Sequence, residues 1–300
     1  MGVHMGPRIF KAFLGVVVIG GFVLAGCGDD EPTEPPRDPE VFFIPLEISL
    51  EQAANIAIPG DTLIITGSLL LLETVTFSSN QTPLVILGGK MPPPTLSILA
   101  DQPILHFVAP NDGTKVAELG FSGGGNGVLA ENAGRIEVAD CAFSGGTIQV
   151  LGAGSGLVVD VSGCLMRDAG LFSIEAKSSA TVVASNNTID GAMDCGILLV
   201  DNAQGQVNNC IISNSSRYGI ACQQGAILTP ASGCNDIYMS GTAPYENCTP
   251  GVDDFSLDPL FCTGANDFTI QDISPCAPAN SPQGCGLIGA FPTAVCPPPP

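Results

Sequence analysis

The sequence has no tryptophan, three tyrosines, two histidines and nine Lys plus Arg in 300 residues. Each shortage excludes something. With 29 Asp plus Glu against those nine cations, the net charge is −20. A chain this acidic offers no basic surface for nucleic acid or anionic lipid. The charge is compatible with cations, neutral ligands or plain solubility. Few Tyr and no Trp leave few flat rings on which a sugar could stack. His4 lies in the N-terminal leader, so a Ser-His-Asp triad would have to be built on His106 alone, and no G-x-S-x-G elbow is present. His106 sits among apolar residues in ILHFV and reads as a packed strand residue.

What is present begins with a leader. Arg8 and Lys11 precede an apolar run, 12–26, too short to span a bilayer comfortably. It ends in Leu24-Ala25-Gly26-Cys27, which resembles the bacterial lipobox in all four positions. The resemblance implies cleavage before Cys27 and lipidation of its thiol. Gly28, where the enteric sorting rule would have Asp for inner-membrane retention, points to the outer membrane or cell surface of a Gram-negative-type bacterium. The stretch after Cys27 is rich in Pro, Asp and Glu and is expected to be an extended tether.

The body of the chain repeats. VADCAF starts at Val138, VSGCLM at Val161, ASNNTI at Ala184 and VNNCII at Val207, 23 residues apart each time. Leu119, Cys141, Cys164, Asn187, Cys210 and Cys234 recur at spacings of 22, 23, 23, 23 and 24. Each unit holds three short alternating strands separated by Gly, Ser, Asn or Asp, and no stretch inside it has helical periodicity. One unit cannot bury its apolar face alone. Stacking units at the inter-strand spacing of about 4.8 Å closes a continuous core. The expected fold is therefore an all-β parallel β-helix of about 22–24 residues and three strands per coil. The six recurring positions are expected to form a structural ladder inside it. Zinc is not the expected role of the thiols. Ligands along one row would lie about 4.8 Å apart, too far to surround a metal ion, and no His accompanies them.

Ser49 and Gln52 have capping-box spacing, and Leu50, Ala53, Ala54 and Ala57 form one stripe ended by Pro59-Gly60. A short helix there would cover the first coil, an edge that otherwise invites aggregation. The run EISLEQAANIAIPGDTLIITG resembles the opening segment of right-handed β-helix proteins of the pectate-lyase-like superfamily. That resemblance implies the handedness. DPLF (258–261), DFTI (267–270), SPCAPANSP (274–282) and GLIGAF (286–291) resemble the close of many surface β-helix repeat proteins and imply a C-terminal cap. The expected layout is signal peptide 1–26, lipidated Cys and tether 27–45, β-helix 46–233, loop-rich cap 234–296 and a proline tail 297–300.

Twelve cysteines are present. An exported chain meets an oxidising compartment, so Cys234, Cys248, Cys262, Cys276, Cys285 and Cys296 are disulfide candidates, with fifteen pairings open among them.

The superfamily includes lyases, hydrolases, esterases and non-enzymes. A lyase reading requires clustered acids for calcium and a basic residue on one strand. It would use Asp168, Asp190 and Asp194 as ligand-binding acids and Arg217 as the catalytic base. The 23-residue offsets instead make Arg167–Asp190 and Arg217–Asp194 inter-coil ion pairs. Asp253, Asp254 and Asp258 are the further calcium candidates, since calcium needs only oxygen ligands. Polygalacturonase-like motifs are absent from the repeats, and the glycines of GFSGGGNG (120–127) read as a turn. The expected protein is a non-catalytic, lipid-anchored β-helix without a resident cofactor. It would present a side surface to an envelope or extracellular polysaccharide. A calcium-assisted polysaccharide lyase or hydrolase, and a purely structural or adhesive surface protein, are the alternatives.

Overall fold

The computed structural model describes residues 37–89, 92–262 and 267–296. The expected signal peptide, Cys27 and the terminal prolines 297–300 lie outside the described residues. The described residues from 39 onward form one compact unit.

Three parallel sheets wrap around one apolar core. The first has nine strands, from Val41–Ile44 and Thr62–Ile65 to Gln204–Asn208 and Ile227–Leu228. The second has eight, from Leu69–Leu71 to Asp236–Tyr238, and the third eight, from Val75–Phe77 to Ala243–Glu246. Every strand in them pairs in parallel with strands one coil above or below. The solenoid is longer than expected at both ends. Val41–Ile44 already pairs with Thr62–Ile65, and strands continue to Glu246.

The alternation seen in the sequence is the alternation of inside and outside. Val116, Val138, Val161, Ala184 and Val207 stack inward, all fully buried. Phe121 stacks on Phe143 with centroids 4.7 Å apart, and Phe77 on Phe107 at 5.1 Å. Fully burying each such side chain contributes about 1.5–3 kcal/mol. At the open end, helix α1 (Leu50–Ile56) buries Leu50, Ala53 and Ala54. Its capping box forms as expected: the Ser49 hydroxyl accepts from the Gln52 N–H, and the Gln52 side chain accepts from the Ser49 N–H.

The coil turns where the backbone goes left-handed. Glu118, Asp140, Gly163, Asn186, Asn209, Cys234 and Asp253 form one such corner row, with φ between 52° and 63°. Gly, Asn and Asp tolerate this region best, which is why they punctuate the repeat. The residue after each corner is the rung. Leu119, Cys141, Cys164, Asn187 and Cys210 are all buried. Asn187 donates to Val161 O and accepts from Cys164 N–H, each at 2.9 Å. The next rung is Asn235, not Cys234. It donates to Val207 O at 2.9 Å and accepts from Cys210 N–H at 3.0 Å. Cys234 occupies the corner instead, at φ 60°, because this coil is one residue longer than the 24-residue step places it. The last rung is Asp254, whose carboxylate accepts from Asn235 N–H, Asn235 Nδ2, Gly251 N–H and the Tyr245 hydroxyl.

The C-terminal segment is a strap along the side rather than a plug on the end. Residues 285–290 lie across the outer face of the second sheet. Ala290 N–H donates to Thr188 Oγ1 at 3.0 Å, and Gly289 N–H to Asn209 O at 2.8 Å. A Cβ on Gly289 would sit 2.7 Å from Ile211 Cδ1, so glycine permits the close approach. Ile211, Ile270, Cys276, Ala277, Cys285 and Ile288 form a second buried cluster under the strap. The disulfides are Cys222–Cys248, Cys234–Cys285 and Cys262–Cys296. Cys222, absent from the expected set, staples the last coils. Cys276 is a free buried thiol against Asp236 Oδ2 at 3.1 Å. Asp236 faces outward from its strand but is buried by the strap, and that burial pushes its pKa up to about 6.

Two outcomes follow for stability. Asn187→Ala leaves the Cys164 N–H and Val161 carbonyl without their partner, and chemical denaturation should show a loss of about 2–4 kcal/mol. Asn187→Cys, which repeats the rung used in three other coils, should lose less. For Asp236, a raised carboxylate pKa means the fold is favoured while the group is protonated and weakens as pH rises from its ordinary 3.8 through 6. The difference corresponds to about 3 kcal/mol. Asp236→Asn keeps an oxygen for the Leu257 N–H that Asp236 accepts. It should raise the melting temperature near neutral pH, with the gain vanishing at about pH 4.

Candidate functional site

The outward residues of the second sheet build a groove. In register along it run Ser97, Ser122, Ser144 and Arg167, one per coil. Parallel to that row run Thr95, Gly120, Ala142 and Leu165. Small side chains there keep the floor low. Gly120 is required, since a Cβ would stand 2.6 Å from Thr95 Oγ1. Pro92 and Pro93 form one wall. Ala290 and Phe291, from the strap, form the other, beside Asp140 and Gly163. The two adjoining hollows have volumes of about 340 and 420 Å³ and share Pro93, Ala142 and Leu165. At the far end the Arg167 guanidinium lies 5.8 Å from the Phe268 ring centroid. The strap stops the groove here: Thr188 and Ile211, the next outward positions, are buried beneath it.

The residues singled out in the sequence lie elsewhere and have other work. Arg217 pairs with both oxygens of Asp194, at 3.2 and 3.3 Å, and its guanidinium carbon lies 5.1 Å from the Tyr218 ring centroid. The Asp194 charge raises its pKa further, the wrong direction for a catalytic base. Asp168 is a left-handed corner residue, φ 53°, in a row with Gly145, Gly191 and Asn214. Asp190 accepts from Ser213 Oγ at 2.6 Å and Asn214 Nδ2 at 2.7 Å. Asp253 is a corner, Asp254 the last rung, and Asp258 accepts from Leu260 N–H within its own turn at 2.9 Å. Among the described residues, no group of three or more His, Cys, Asp or Glu is placed to hold a metal ion. Asp190, Asp194, Asp254 and Asp258 instead accept hydrogen bonds from neighbouring groups of the chain.

His106 is not packed inside. It faces outward from the third sheet, with Nε2 2.9 Å from Glu131 Oε2. Lys115–Glu137 at 2.7 Å and Arg135–Asp160 at 2.7 and 3.1 Å bridge coils of the first sheet in the same way. Such partly exposed pairs contribute about 0–1 kcal/mol each. The free thiols offer no nucleophile. Cys141, Cys164, Cys195, Cys210 and Cys276 are all buried. Burial pushes Cys210 up to about 11 and Cys195 up to about 12, and raises Cys164 and Cys276 as well.

The serine row escaped the sequence reading, although its signal was present. Ser122, Ser144 and Arg167 keep the same 22- and 23-residue spacing as the rungs. The apolar positions drew the alignment, and the polar ones one residue further on carry the outer face.

Residues 106–240 match the family described as right handed beta helix region. A search of curated proteins gives no match. With three parallel sheets stacked coil on coil through and beyond the matched residues, the chain is a parallel β-helix of repeated coils, similar over residues 106–240 to the right-handed family.

Proposed function

We propose that this chain is a lipid-anchored, exported binding module that holds an extended polysaccharide in the groove of the second sheet and does no chemistry on it. The observation that carries the reading is the row Ser97, Ser122, Ser144 and Arg167 on four successive coils, the last three of which line the hollow beside Pro92 and Pro93. Hydroxyls repeating at about 4.8 Å match the repeat of a linear sugar chain closely enough to meet one ring per coil. Hydroxyls both donate and accept, so they suit sugar hydroxyls. Arg167 supplies a planar fork of donors that fits a carboxylate or sulfate. An acidic glycan is therefore preferred over a neutral one. Phe291, lining the adjoining hollow, provides a ring that the tyrosine count did not suggest. Lipid anchoring rests on the L-A-G-C motif ending at Cys27.

The test is retention of the exported chain on immobilised acidic and neutral polysaccharides, with and without calcium, while ultraviolet absorbance follows unsaturated lyase products. Retention on an acidic polymer should weaken roughly tenfold or more in Arg167→Ala and stay unchanged in Arg217→Ala. Rising absorbance that disappears in Arg217→Ala would replace this reading with a lyase. Retention on no polymer would leave the structural or adhesive protein as the better account.

A further inference from the structure

Exposed apolar side chains are scattered along the solenoid, and at its start three of them are leucines close together in the chain fold. Leu70 is 60% exposed, Leu72 85% and Leu99 89%. They form one patch. The register pairs Leu71 with Ile98, which sets Leu72 beside Leu99, and Leu70 lies two residues back along the same face. Leu46, in the turn before α1, and Ile56, in its last turn, expose further apolar surface one coil earlier. Nothing in the core explains these leucines: the inward positions of the same strands are filled by Leu71, Leu96 and Ile98. An apolar patch kept in water points to something that covers it.

We infer that this end of the β-helix rests on the lipid surface that holds the anchor. The inference rests on the lipid-anchor reading of Cys27. Thirteen residues, 28–40, separate that cysteine from the first strand. Rich in proline, they reach at most about 40 Å when extended. The chain enters one coil before the coil that carries Leu70 and Leu72, and the last coils stand about 35 Å further along the stack. The leucine patch thus lies at the tethered end of the solenoid. Charge selects the lipid. Glu40, Glu47, Glu51 and Glu73 surround this end, so an uncharged, zwitterionic surface is accepted and an anionic one repelled. Leucine side chains dipping to the acyl boundary would add to a single weak anchor. Seated this way, the chain holds its serine groove running away from the membrane, where a soluble or envelope polymer can reach it.

The absence of tryptophan makes the test direct. Leu72→Trp and, at the far end, Ile227→Trp are each introduced into the full chain, exported and purified. Each is then mixed with vesicles of zwitterionic phosphatidylcholine, plain or brominated on the acyl chains. The expected result is a blue shift and loss of emission by the brominated lipid for Leu72→Trp and neither for Ile227→Trp. Replacing part of the lipid with an anionic one should reduce the quenching. Equal quenching at both positions, or none at either while the chain stays on the vesicles, would overturn the proposal and leave the anchor reading intact. A blue shift of Leu72→Trp without vesicles that grows with protein concentration would also overturn it, in favour of a second copy covering the patch. The anchor is judged separately, by the mass of the exported chain and its loss of acyl groups in Cys27→Ala. Quenching that persists in Cys27→Ala supports the patch even if the anchor fails.

Discussion

A coil of about 23 residues cannot satisfy its own backbone. Every strand in the three main sheets finds its hydrogen-bond partners one coil above or below, and an unpaired buried peptide group costs about 1–3 kcal/mol. The stack is therefore the unit of stability, and the point most at risk is the inside of each corner. There the chain turns left-handed, and the next residue points inward with polar backbone around it. Asn187 and Asn235 answer this with an amide that serves two coils at once. Cys141, Cys164 and Cys210 answer it with thiols that donate to the carbonyl two residues back, at 3.2–3.3 Å. Asp254 ends the row by accepting the last N–H. One of the carboxylates that the sequence offers as a calcium ligand, Asp254, instead closes the ladder.

The same constraint frees the outside. Because stability comes from inward stacking and backbone pairing, the outward positions are open to vary. On the first sheet they hold inter-coil ion pairs, and on the second they hold serines, an arginine and small floor residues. The strap then divides the second sheet in two. Under it lie Thr188, Ile211 and Asp236, buried although they point away from the core. Beyond its edge the groove stays open. Two disulfides hold this arrangement, one tying the strap to a corner and one closing it on itself.

Much of the fold was legible because its period is short and its chemistry repetitive. The inward rows, the capping helix at Ser49–Ile56 and the parallel stacking follow from spacing and burial alone. The misreadings have different causes: a slip in the period, a strand position passed over, strand alternation, and distant segments that fold back. Cys234 took the place of Asn235 because one coil is longer. Cys222 was passed over because it sits in a strand. His106 reads as buried in ILHFV, yet strand alternation sends it outward to Glu131. The groove depends on Pro92–Pro93 and on Ala290–Phe291, and no local pattern says that these meet the same face.

By itself the sequence determined the architecture, since a 23-residue alternation with Gly, Asn and Asp at the bends can bury its apolar side chains only by stacking on itself. Tertiary structure alone decided which polar groups remain available. A carboxylate, thiol or serine is the same residue in the chain whether it closes a ladder, lies under the strap or lines a groove. What separates those fates is which other backbone arrives beside it, and at Asp236 and Asp254 that partner comes from residues 21 and 19 positions away.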